Sequence, residues 1–168
     1  MTQEEKQLLL KDLEWFDMET KECHCYNQEE KELLLKDLSA RLPYGLVVHY
    51  NGLARPLFGI EPTQHFQITL DNALDGEHNG LVYVSLDVDG EEPKPYLRPM
   101  SSMTEEEEKE FYNQVYKAKP YSDGKSYNVY EVTGLNIDWL NAHHFDYRGL
   151  IRKGLAIEVT KENNPYKQ

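Results

Sequence analysis

Residues 29–45 read EEKELLLKDLSARLPYG, and residues 4–13 read EEKQLLLKDL, the same decapeptide with one change, 25 residues earlier. In the second copy Asn27 stands where a helix N-cap belongs, and Glu30 follows at the capping-box position. Leu34, Leu35, Leu38 and Leu42 fall on one stripe about 100° wide at helical spacing, flanked by Leu33 and Ala40. Pro43 disfavours helix at Leu42, and Gly45 permits a turn, so the pattern predicts a helix over 28–41 that stops there.

The first copy repeats the start signal with Thr2 and Glu5, and its stripe with Leu9, Leu10 and Leu13, then adds Phe16. Trp15 stands where the second copy has Ala40, beside Leu8, so the helix expected over 3–17 has apolar groups on a second side as well. Such a helix needs two neighbours, or one neighbour and another chain. The connector METKECHCYN (18–27) is long enough for the two helices to form an antiparallel hairpin. The near-identity of the copies points to duplication. A third capping signature, Thr104 with Glu107, predicts a helix over 104–118.

Between the helices the period changes to two. Phe66, Ile68 and Leu70 alternate with His65, Gln67, Thr69 and Asp71, while Val82, Val84, Leu86 and Val88 form one apolar face against Leu81, Tyr83, Ser85 and Asp87. Strands are expected over 45–51, 53–60, 65–71, 80–88 and 94–98, with Pro56 at an edge and Asp89-Gly90 closing a hairpin between the last two. YNVYEVT (127–133) reads as a further strand, 136–159 as a helical segment and a final strand, and ENNPYKQ as a frayed tail. The expected fold is α+β: an N-terminal helical hairpin, an antiparallel sheet, and C-terminal helices packed on it. Residues 1–27 read as an appended helix and linker, 28–160 as a single α+β domain and 161–168 as a tail.

The chain has 168 residues and a formal net charge of −12. Before residue 126 there are 25 acids against 13 bases, and after it five of each. That balance repels phosphate backbones, disfavours direct nucleic-acid binding and suits a protein partner with a basic surface. The only cysteines, Cys23 and Cys25, are too close for an unstrained disulfide. No apolar run approaches a membrane span, so a reducing cytoplasm is the expected compartment.

The stretches EEKELLLKDLSARLPYG (29–45), KPYLRPMSSMTEEE (94–107) and DWLNAHHFDYRGLIRKGLAIE (138–158) together resemble a family of short acidic proteins encoded in gut Bacteroidales genomes, often in prophage-like regions. The resemblance covers roughly 28–159, implies no known activity, and makes residues 1–27 an added copy of the family's opening helix. It implies a mobile-element accessory that binds a host factor.

The chemical candidates are few. Cys23, His24 and Cys25 could give three ligands to zinc, but a structural site needs a fourth from afar, such as His49 or His65, the usual C-x₂₋₄-C spacing is absent, and the stretch reads first as an ordinary linker. His143, His144, Asp146 and Arg148, with Asp138 near, could form an acid–base site, although adjacent helical histidines point about 100° apart. Asp87, Asp89, Glu91 and Glu92 look calcium-like without the register of a calcium loop. No cofactor is expected. The leading reading is a non-enzymatic acidic binding protein that binds or inhibits a host nucleic-acid-handling or defence protein, an anti-CRISPR-like role being one version. Its contact residues would be Trp15, Phe16, Glu105, Glu106, Glu108 and Tyr112, with self-association through the first helix as a further contact. The alternatives are a small-ligand binder with a Tyr-lined pocket and a small hydrolase using His143, His144 and Asp146.

Overall fold

The computed structural model describes residues 26–61, 67–71, 80–86, 92–113 and 129–167. Its α-helices are α1 (Gln28–Arg41), α2 (Glu105–Tyr112) and α3 (Val129–Ala142). Its strands are β1 (Val47–Tyr50), β2 (Leu53–Glu61), β3 (Gln67–Asp71), β4 (Leu81–Ser85), β5 (Lys94–Leu97) and β6 (Ile157–Glu158). They form one sheet in the order β4-β3-β2-β1-β5-β6, antiparallel except for the β5–β6 pair. The chain is α+β. The first decapeptide copy, and with it the expected helical hairpin, lies outside the described residues.

α1 begins and ends where its sequence says. Asn27 Oδ1 accepts from the Glu30 amide at 3.0 Å, and Glu30 Oε2 accepts from the Asn27 amide at 2.9 Å. A short 3-10 turn over Leu42–Tyr44 carries Pro43, and Gly45 at φ 69° turns the chain into β1. Asn51 and Gly52, at φ 52° and 72°, join β1 to β2 in a two-residue hairpin whose left-handed pair matches the twist of the strands.

The core joins Leu34 and Leu38 of α1 to Leu46, Val48, Leu57, Ile68, Leu70, Val84, Leu86 and Leu97 of the sheet region. A second cluster, Trp139, Leu140 and Phe145 with Met103, Phe111 and Tyr147, holds α2 against α3.

Four expectations are corrected. Pro56 is not on an edge strand, because β2 lies between β1 and β3. Instead β2 changes partner there: Leu53–Pro56 pair with β1, and β3 pairs from Leu57 onward, with Phe58 bulged out and 63% exposed. Leu57 donates to Leu46 across β1 at 2.8 Å, so the nitrogen of Pro56 faces the other way, beyond the β3 ladder, where no donor is needed. Second, β4 and β5 form no hairpin; β4 pairs with β3, and β5 takes the free side of β1. Third, residues 129–133 are helical, because the helix that packs Trp139 and Leu140 extends back through them and overrides their local β preference. Fourth, the C-terminal stretch is docked. Tyr166 donates to Tyr96 O at 2.8 Å and accepts from the Val47 amide at 3.3 Å, so it ties β5 to the start of β1.

Tyr26 is 4% exposed and donates to Pro93 O at 2.9 Å, and Asn27 caps α1, so both residues belong to the folded unit. Leu34→Ala or Leu38→Ala is expected to cost about 2–5 kcal/mol in urea denaturation, since both side chains are wholly enclosed. Removing residues 1–25 should leave one cooperative transition, whereas removal through 27 should lower the midpoint. An unfolded chain after the shorter cut would place the first copy in the core.

Candidate functional site

α2 presents its acids in two directions. Thr104 Oγ1 accepts from the Glu107 amide at 3.2 Å, and Glu107 Oε2 accepts from the Thr104 amide at 2.9 Å, closing the expected capping box. The Glu107 carboxylate also takes two bonds from Arg98, at 2.7 and 2.8 Å. Those bonds first of all, then the Thr104 amide and nearby positive charge, hold its pKa below the usual range against partial burial. Arg98 stacks its guanidinium over the Phe145 ring at 4.2 Å, so Glu107 is anchored through Arg98 to the aromatic cluster.

Glu105, Glu106 and Glu108 point the other way. All three are exposed, and no ion pair among the described residues holds them. Phe111 packs on Trp139, ring centroids 5.6 Å apart, and fixes which face of α2 turns inward. Beside the acids lies a shallow cleft of about 280 Å³ lined by Met100, Met103, Glu108, Phe111 and Tyr112. Tyr112 is 66% exposed and Met100 40%. Two methionines and two aromatic side chains beside a carboxylate suit a side chain with an aliphatic stem and a cationic tip.

The four residues read as an acid–base site are brought near one another, but each is engaged elsewhere. His143 lies flat on Trp139 at 3.9 Å, and its Nδ1 is 2.8 Å from Trp139 O. Asp146 accepts from the Leu150 and Ile151 amides at 2.9 and 2.8 Å, stopping the turn that leads to β6. Arg148 donates to Asp37 at 3.1 Å and to the Tyr147 hydroxyl at 2.8 Å. Burial and the nearby Asp138 carboxylate raise the Tyr44 pKa. This arrangement holds a loop and presents no nucleophile with a free base beside it.

Sequence reasoning missed what that loop is held to. Asp37 and Arg41 of α1 are both fully buried, and both Asp37 oxygens accept from Arg41, at 2.7 and 3.0 Å. Arg41 Nη2 also donates to Phe145 O at 2.7 Å, and Tyr147 donates to Asn141 at 3.0 Å. The signal was present: 34, 37, 38 and 41 lie on one helical face, and 37 and 41 are an acid–base pair one turn apart. Their charged side chains disguised them.

His144 lies just past the end of α3 and does not continue its helical course. It sits at φ 57°, with its amide bonded to Asn141 O at 3.1 Å and the Phe145 amide to Leu140 O at 3.0 Å. That is the hydrogen-bond pattern of a left-handed helix stop, with His in the place Gly or Asn usually takes. The ring is 8% exposed and lies flat on Tyr166 at 4.1 Å.

The sequence-predicted zinc triad Cys23, His24 and Cys25, and Trp15 and Phe16, lie outside the described residues, as do residues 87–91 of the calcium-like turn. His49 packs edge-on against Tyr96. Among the described residues no group of three or more His, Cys, Asp or Glu could hold a metal, and no helix is long and apolar enough to cross a membrane. Of the described tyrosines, Tyr83 and Tyr112 are exposed and Tyr96 is buried.

Burial, then the charges of Arg41, His143 and Arg98, depress the His144 pKa to about 4 from an ordinary 6.5. Between those values the unfolded chain binds a proton that the folded chain refuses. Stability is therefore complete above about pH 6.5 and declines as pH falls towards 4, by an amount on the order of 3 kcal/mol. His144→Asn keeps a residue that tolerates the left-handed backbone and removes the titration. The denaturation midpoint of the parent should fall more steeply than that of the variant from about pH 7 to about pH 4.5. Equal slopes would assign the acid sensitivity to other groups.

In comparisons with family models, curated proteins and solved structures nothing matched the chain, so its own residues carry the functional reading.

Proposed function

We propose that the protein is a non-enzymatic binding protein whose α2 and adjoining cleft seat a basic surface of a protein partner. The carrying observation is the split of the α2 acids: Glu107 is consumed by Arg98 and the helix cap, while Glu105, Glu106 and Glu108 face water beside the Met100–Met103–Phe111–Tyr112 cleft. A lysine or arginine of the partner would lay its stem on the methionines and bring its charge to Glu108 and the face of Tyr112. The three exposed acids would steer the encounter.

A net charge of −12 supports the same class of partner. Proteins that handle nucleic acid carry basic grooves that an acidic helix can fill. An accessory of a mobile element that inhibits a host nucleic-acid-handling or defence protein is the version that fits the charge layout and the sequence resemblance together. An anti-CRISPR-like role would be one such case.

The test uses the full chain as bait in host lysate, then kinetics with the purified partner. Reversing Glu105, Glu106 and Glu108 to Lys should slow association about tenfold or more at low salt, and added salt should abolish the difference. Tyr112→Ala should instead speed dissociation, because it removes wall from the cleft. Thermal stability should be nearly unchanged in both, as none of these side chains is buried. A partner retained with unaltered kinetics by both variants would remove α2 from the interface.

A further inference from the structure

The seat of α1 has a second potential occupant in the same chain. EEKQLLLKDLEWF (4–16) aligns with EEKELLLKDLSAR (29–41) without a gap. α1 buries four side chains, Leu34, Asp37, Leu38 and Arg41. At the first three places the earlier copy has Leu9, Asp12 and Leu13, and its cap is matched by Thr2 and Glu5. At the fourth it has Phe16, and Trp15 replaces the half-buried Ala40. We infer that Arg41, acting through Asp37, is the residue that decides which copy of the duplicated helix is built into the domain.

Leu34 and Leu38 cannot make that choice, because Leu9 and Leu13 stand in their places in the first copy. The carboxylate can. In α1 the enclosed Asp37 is held on both oxygens by Arg41, at 2.7 and 3.0 Å, with Arg148 adding a third bond at 3.1 Å. Arg41 also satisfies the buried carbonyl of Phe145 at 2.7 Å. In the same register, Asp12 would enter this site with Arg148 as its only cation. Phe16 would offer no donor to Asp12 or to Phe145 O. An enclosed carboxylate short of partners and an orphaned carbonyl both oppose that arrangement. The buried pair thus works against the wrong helix more than it adds to the stability of the right one.

Chain length does not forbid the exchange. With 4–16 seated, residues 17–46 would return to β1, and a flexible segment of that size spans roughly 30 Å, more than the length of a 14-residue helix. Of the four side chains that α1 buries, three are the same in both copies, which leaves Arg41 as the discriminating group among them.

The experiment transposes the arginine in the full chain, with Trp15→Ala throughout so that bulk at that place is equal. Arg41→Phe alone should lower the melting temperature by several degrees or more. Adding Phe16→Arg should recover at least about half of that loss, because the first copy is then the competent one. Sensitivity should move with it: Leu34→Ala should be costly in the parent and mild in the transposed chain, and Leu9→Ala the reverse. If Arg41→Phe does not fold, Phe16→Arg in the otherwise intact chain still decides, since two competent copies should make Leu34→Ala less damaging than it is without Phe16→Arg. No recovery on transposition, Leu34 remaining the sensitive position, or a Leu34→Ala loss indifferent to Phe16→Arg would each overturn the assignment.

Discussion

The fully buried pair of Asp37 and Arg41 is the constraint that the helical half of the molecule obeys. Two charges taken out of water are tolerable only if their remaining bonding capacity is met, and meeting it dictates where the following elements go. Arg41 needs an acceptor beyond Asp37 and takes the carbonyl of Phe145, which brings the end of α3 onto α1. Asp37 takes a second cation in Arg148, and Arg148 in turn carries Tyr147 and Asn141 with it. Arg41 Nη1 and His144 Nδ1 remain buried without a protein partner among the described residues. Burial above all, with Arg41 and Arg98 close by, disfavours the charged form of His144. The loop from 143 to 148 is dense in titratable groups, which is why its sequence also suits an acid–base site. That density serves to clothe one ion pair.

The sequence made some levels of this structure legible and hid others, for reasons that can be named. α1 was readable to the residue because cap, stripe and stop all agree locally. The positions of β1 to β5 were readable from alternation, within a few residues. Their order was not, since alternation says which face is buried and nothing about which neighbour supplies the next ladder. The expected Asp89-Gly90 hairpin failed on that point: β1 offered its free side to β5, and the adjacent segment in sequence went to the far edge of the sheet. Residues 129–133 misled because helix and strand preferences conflict there, and the packing of Trp139 and Leu140 decides. Tyr166 was invisible because its anchoring depends on two backbone groups, Tyr96 O and Val47 N, from distant strands.

For the candidate site, the acidic character of α2 could be read directly, but the division of labour among its glutamates could not. Four consecutive glutamates look equivalent in sequence. Capping geometry singles out the third helical position, and Arg98, arriving from the end of β5, makes that choice permanent. What remains outside is a row of three carboxylates whose orientation is fixed by a helix that Phe111 pins to Trp139. A surface held this rigidly loses little freedom when a partner arrives, which is what favours it as a contact surface over a mobile acidic tail.

The change of partner along β2 has a consequence for how the molecule breathes. Leu53–Pro56 belong to the ladder with β1, and the residues from Leu57 to Glu61 belong to the ladder with β3. Proline and the Phe58 bulge sit at the junction, so the sheet is two leaves sharing a single spine. One leaf, β1 with β5 and β6, is tied down by Tyr166; among the described residues the other, β3 with β4, is held by the core beneath it. The β3–β4 leaf is thus where a local opening of the sheet would begin, before the β1–β5 ladder gives way.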